Sequence, residues 1–112
     1  MRAFAVLFVM LAGCDAASSE YPAVMEARSA AAEWAKVNEL AADGRVTATY
    51  ARTMREEARS QLTKAASSFS DPSSPQASEV RALIALPDDA SPGALGRHVD
   101  ALQKIEDRLA VS

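Results

Sequence analysis

Apolar residues in this chain return every three or four positions, and a large share of them are alanine. No other feature constrains the fold as strongly. Alanine is the strongest helix former, and this spacing gathers side chains on one helix face. Valine and isoleucine are scattered at the same intervals, with no alternating run that would mark a strand. The chain is therefore expected to be all-α. Alanine buries little area, so the core should be thin and the helices close together. A chain of 112 residues has room for one small domain.

Four helices can be placed from periodicity and punctuation. The first is expected over 23–42, where Ala27, Ala30, Trp34, Val37 and Ala41 share a face. Val24, Ala31 and Leu40 widen that face, and Glu26, Glu33, Lys36 and Glu39 lie mostly opposite. Asp43-Gly44 should end it, since glycine accepts the left-handed conformation just past a helix C-terminus. Thr47 is a candidate N-cap for a second helix over 47–69, with a stripe through Tyr50, Met54, Ala58, Leu62, Ala65 and Phe69. The short connection between the two implies an antiparallel helical hairpin.

The polar run from Ser67 to Ser74 reads as a linker, with Pro72 opposing helix in the residue before it. Ser74-Pro75 and Ser91-Pro92 each place a capping hydroxyl before a proline, which is tolerated in the first helical turn. They predict helices over 75–86 and 92–110. Ala77, Val80, Leu83 and Ile84 form the buried face of the shorter one. Leu95, Val99, Leu102, Ile105 and Leu109 make the clearest stripe in the chain, with Asp100 and Lys104 expected to pair beside it. The predicted architecture is a small three- to four-helix bundle built on the hairpin.

The N-terminus has a different character. Arg2 is followed by the apolar run Ala3–Met10, and the stretch stays uncharged for eleven residues, through Gly13. At about 1.5 Å per residue a helix of that length falls far short of the roughly 30 Å hydrocarbon core. A cleaved signal peptide needs no more than this. The run ends in Leu11-Ala12-Gly13-Cys14, small residues before the chain's single cysteine. This stretch resembles the lipobox of a bacterial lipoprotein signal.

The resemblance implies diacylglyceryl transfer to the Cys14 thiol and cleavage between Gly13 and Cys14. It leaves 1–13 as signal peptide, 14–22 as a flexible tether and 23–112 as the helical domain. Ser19 or Glu20 would cap the first helix, with Pro22 near its first turn. The protein would then face the periplasm from the bacterial cell membrane, held by the lipid on Cys14. Asp15 after the cysteine resembles the inner-membrane retention signal of enteric bacteria. An ordinary secretory signal with a chance cysteine is the plainer alternative.

Charge and composition limit what the body does. The whole chain carries −3, and removal of Arg2 with the signal leaves 11 basic against 15 acidic residues. A mildly acidic domain has no electrostatic reason to bind nucleic acid or to lie on anionic lipid through a basic patch. His98 is the only histidine, so no histidine pair or second cysteine exists to hold a metal with it, and no metal or cofactor is expected. Glu56-Glu57 are neighbours on a helix and point apart, while Asp88-Asp89 lack the spaced ligands of a calcium loop. Arg52, Arg55 and Arg59 fall on one face of the second helix and form a candidate interaction surface, either meeting an acidic partner or pairing with Glu56. Trp34 and Tyr50 suit the core better than a groove. The expected function is non-catalytic: an envelope lipoprotein acting by contact with an envelope protein or a second copy of itself. The alternatives are an accessory subunit of a secretion, conjugation or efflux assembly, and a small periplasmic ligand-binding domain.

Overall fold

The structure is a computed structural model that describes residues 2–111, with side chains from residue 20 onward. It is all-helical: α1 (Arg2–Ala42), α2 (Ala48–Ala66), α3 (Pro75–Ile84) and α4 (Pro92–Ala110). Each helix packs on the next, and α4 closes the ring against α1 in the largest interface of the four. Cross-links between distant residues give the directions. Arg55 meets Asn38, and Ser70 meets Glu20, so α2 runs against α1. Gln76 meets Glu20 at one end of α3, and Arg59 of α2 meets Ile84 at the other. Arg28 meets Glu106 while Asn38 meets Ala90, so α4 descends against α1. The result is an up-down-up-down bundle.

The helix ends follow their local chemistry. Gly44 has φ +68°, and the N–H groups of Gly44 and Arg45 donate to Ala41 (3.1 Å) and Leu40 (2.9 Å). This pairing satisfies carbonyls at the α1 terminus that lack a helical partner. Three of the four expected N-caps form. Thr47, Ser74 and Ser91 accept from the N–H groups of Tyr50, Ala77 and Ala94 at 3.0, 3.2 and 3.1 Å. Pro75 and Pro92 open α3 and α4 as predicted.

Several boundaries differ from expectation. α1 runs unbroken from Arg2, so no cap forms at Ser19 or Glu20 and Pro22 lies inside the helix. The residues read as a flexible tether, 14–22, are helical. The packed body begins inside that range, because Glu20 accepts from Gln76 (2.8 Å) and Ser70 (3.0 Å) and Tyr21 is half-buried. α2 stops at Ala66, where the Ser67 hydroxyl turns back to the Lys64 carbonyl at 2.7 Å. Phe69 still reaches the core, from the loop rather than from the helix. α3 ends at Ile84, leaving Leu86 in the following turn.

The core is made of small side chains around a few large ones. Ala27, Ala30 and Ala31 of α1 are fully buried, and so are Trp34, Leu62, Leu83, Leu95 and Leu102. Small residues let helix backbones approach closely, so dispersion contacts replace side-chain area. The expected α2 stripe is one residue out at its start: Ala51 is buried and Tyr50 is 48% exposed. The small Ala51 takes the buried position, and the larger phenol of Tyr50 is left to solvent.

Candidate functional site

The densest polar cluster lies where the α3–α4 loop (85–91) crosses α1 and α2. Trp34 and Asn38 are four residues apart on α1, hence on one face. The indole N–H of Trp34 donates to the Asp88 carbonyl at 2.9 Å. The Asn38 amide donates to the carbonyls of Asp88 (3.0 Å) and Ala90 (2.8 Å), and its oxygen accepts from Arg55 Nε at 2.7 Å. Asn38 is 5% exposed, so each of these bonds satisfies a group that has lost its water.

Arg59 completes the cluster from α2. Its guanidinium donates to the carbonyls of Ile84 (2.7 Å) and Leu86 (2.5 Å) and to Asp88 Oδ1 (2.8 Å). It also lies over the Trp34 ring, 4.8 Å from the centroid. The planar fork thus serves the carbonyl end of α3, where the helix dipole is negative, and stacks on an aromatic face. A lysine has one donor centre and cannot reproduce this geometry. Every buried side-chain nitrogen or oxygen among the described residues has a hydrogen-bond partner.

The three arginines read as one surface therefore occupy three environments. Arg52 is exposed, Arg55 is tied to Asn38, and Arg59 is committed to the loop and to α3. Arg59 turns to Asp88 rather than to Glu56. Asp88 and Asp89 do not act as a pair, because Asp88 belongs to Arg59 and Asp89 faces solvent. Gly13 and Cys14 fall within α1, but their side chains lie outside the described ones.

Two further ion pairs join α4 to its neighbours. Arg28 Nε meets Glu106 Oε1 at 2.6 Å, which accounts for a glutamate only 7% exposed on the core face of α4. His98 Nδ1 meets Glu79 Oε2 between α4 and α3. Asp100 and Lys104 do not form the expected pair. Both instead line a shallow groove of about 620 Å³ between α3 and α4, along with Arg97, Glu79 and Ile105. A smaller hollow of about 420 Å³ lies beside Asn38, Arg55 and Pro92. Trp34 is fully buried, Tyr50 faces solvent and His98 sits at the α3–α4 seam, so these three share no cleft.

Asp71 in the α2–α3 loop accepts from the Ser73 hydroxyl (2.7 Å) and the Ser73 N–H (2.9 Å). These bonds, the hydroxyl's first, favour the ionised form and hold its carboxyl below the usual aspartate range. Among the described residues no group of three or more His, Cys, Asp or Glu side chains gathers as a metal site. No helix among them is long and apolar enough to cross a membrane.

Asn38, Glu106 and Glu79 are not among the residues that the sequence analysis points to. Asn38 carried a signal, since it follows Trp34 by four residues on an otherwise apolar face. Glu106 also follows directly on Ile105 of the α4 stripe. Glu79 carried none, because its partner lies 19 residues away on another helix. Comparison of the chain with protein-family models, with curated proteins and with solved structures finds no match in any of the three.

Proposed function

We propose that this chain is a lipid-anchored lipoprotein of the bacterial cell envelope, non-catalytic, acting by protein–protein contact. One observation carries the reading: Leu11-Ala12-Gly13-Cys14 closes a short apolar run after Arg2 and holds the chain's single cysteine. Lipidation gives that cysteine a chemical role, and two or more acyl chains at about 0.8 kcal/mol per buried methylene anchor a protein stably. Action by contact is supported by how the body uses its polar groups. The cluster around Arg59 fastens a loop, and Arg28–Glu106 and His98–Glu79 join helices. These groups have structural work within the fold.

The test is metabolic labelling in a bacterial host with a palmitate analogue. The parent chain should label and partition with membranes, and Cys14→Ser should do neither. Equal labelling of the two would end the lipid reading. A narrower form of the proposal makes the chain an accessory subunit of a secretion, conjugation or efflux assembly. Crosslinking intact envelopes and identifying the captured partner separates that from self-association.

A further inference from the structure

We infer that the end of the bundle carrying Glu20, the α2–α3 loop and the N-terminus of α3 is held against the bilayer, so that the opposite end faces away from it. The inference rests on the lipid-anchored reading and adds an orientation to it. Its basis is the position of Glu20. That carboxylate is bonded to Ser70 in the α2–α3 loop and to Gln76 in the first turn of α3, so the rigid body starts there. Only six residue steps separate it from Cys14. They span about 9 Å as the helix seen here, and at most about 21 Å if drawn out fully.

The body is longer than that leash. From Glu20 to Ala42 α1 rises by roughly 33 Å. The far end carries the Asp43–Thr47 turn and, three and five residues beyond it, exposed Tyr50 and Arg52. Reversing the body would demand a leash at least as long as the body itself. Since α1 is one helix through Cys14, leash and body also share an axis.

The near end suits a lipid headgroup surface. Ser67, Ser68, Ser70, Pro72 and Ser73 are exposed there, and hydroxyls keep hydrogen bonds among headgroups without stripping a charge. Charges of both signs stand there, Glu20 and Asp71 against Lys64 and Arg81, and the last turn of antiparallel α4 adds Asp107 and Arg108. Contact should therefore not require anionic lipid.

The experiment uses the full chain, matured in a lipidating bacterial host and reconstituted into zwitterionic phosphatidylcholine vesicles. Once Cys14 is lipidated, an added cysteine is the only free thiol. Ser68→Cys marks the near end and Thr49→Cys the far end, each labelled with a fluorophore. Trp34 emission checks that each variant is folded, and Ser73→Cys replaces Ser68→Cys if the latter is not. A lipid carrying a headgroup spin label should quench Ser68→Cys severalfold more strongly than Thr49→Cys, with little change when anionic lipid is added. Equal quenching in protein that floats with the vesicles overturns the orientation and leaves the anchor standing. Protein that neither floats nor carries acyl mass on its N-terminal peptide overturns the anchor, and the orientation falls with it.

Discussion

Helices α3 and α4 lie side by side in one bundle and are held to it by different means. α4 spans 19 residues and buries Leu95, Leu102 and Ile105 against α1, with Val99 and Leu109 packed at the edges. α3 spans 10 residues and buries only Ala77, Val80 and Leu83. Around α3, hydrogen bonds stand in for the missing area. Gln76 reaches Glu20, Arg81 reaches the Pro72 carbonyl, Glu79 meets His98, and Arg59 takes the carbonyls at and just beyond the C-terminus. A short helix with small side chains gains too little from burial to offset its ordering entropy. Its carbonyl end also needs donors where water is partly excluded. α3 thus relies mainly on directed bonds, whereas α4 adds the Arg28–Glu106 pair to a larger buried area.

This contrast can be broken by mutation. Leu102→Ala should have the largest effect, about 3 kcal/mol, through a cavity between α4 and α1. Urea denaturation should show one shifted transition, with all four helices lost together. Arg59→Ala should cost less, about 2 kcal/mol, by leaving two carbonyls unserved and uncovering the Trp34 ring. Hydrogen exchange should then speed up in α3 and the 85–91 loop well before α1, and Arg59→Lys should recover little of the loss. If Arg59→Ala accelerates exchange evenly in all four helices, the two modes of attachment are not separate.

The caps offer a finer comparison. Ser74→Ala and Ser91→Ala each remove one bond to a first-turn N–H, at about 1 kcal/mol. With less burial behind it, α3 should lose more amide protection from its cap than α4 does. The smallest effect is a pH response at the loop that leads into α3. The Asp71 carboxyl is lowered by Ser73, so its contribution is present above the unfolded value and lost as pH falls through the lowered folded value. The side chain is fully exposed, so the loss should appear as a local change in the 67–74 loop. An NMR titration should put the Asp71 midpoint below that of an ordinary aspartate, and Ser73→Ala should return it upward.

Much of the framework is legible in the sequence. Thr47, Ser74 and Ser91 cap their helices because a hydroxyl bonding three residues ahead is a local event. Gly44 ends α1 for an equally local reason. The α4 stripe lies on the core as expected because its large side chains repeat at helical spacing. Errors arose where neighbours decide. Tyr50 and Ala51 are both plausible core residues by spacing, and packing in the bundle buries the smaller. Phe69 matched the α2 stripe although the helix ends before it. Pro22 reads as a helix start because proline usually marks one, whereas Glu20 already bonds residues 50 and 56 positions on.

The sequence by itself determined the helical class, the caps, the hairpin and the lone cysteine behind its apolar run, because these depend on spacing within a turn or two of backbone. Only the tertiary structure decided what the polar side chains are for. Arg52, Arg55 and Arg59 occupy one face of α2 in sequence, yet one meets solvent, one an asparagine and one the carbonyl end of another helix. The reason is physical. A charged side chain takes its role from the groups that replace its lost water, and in a bundle those groups come from other helices.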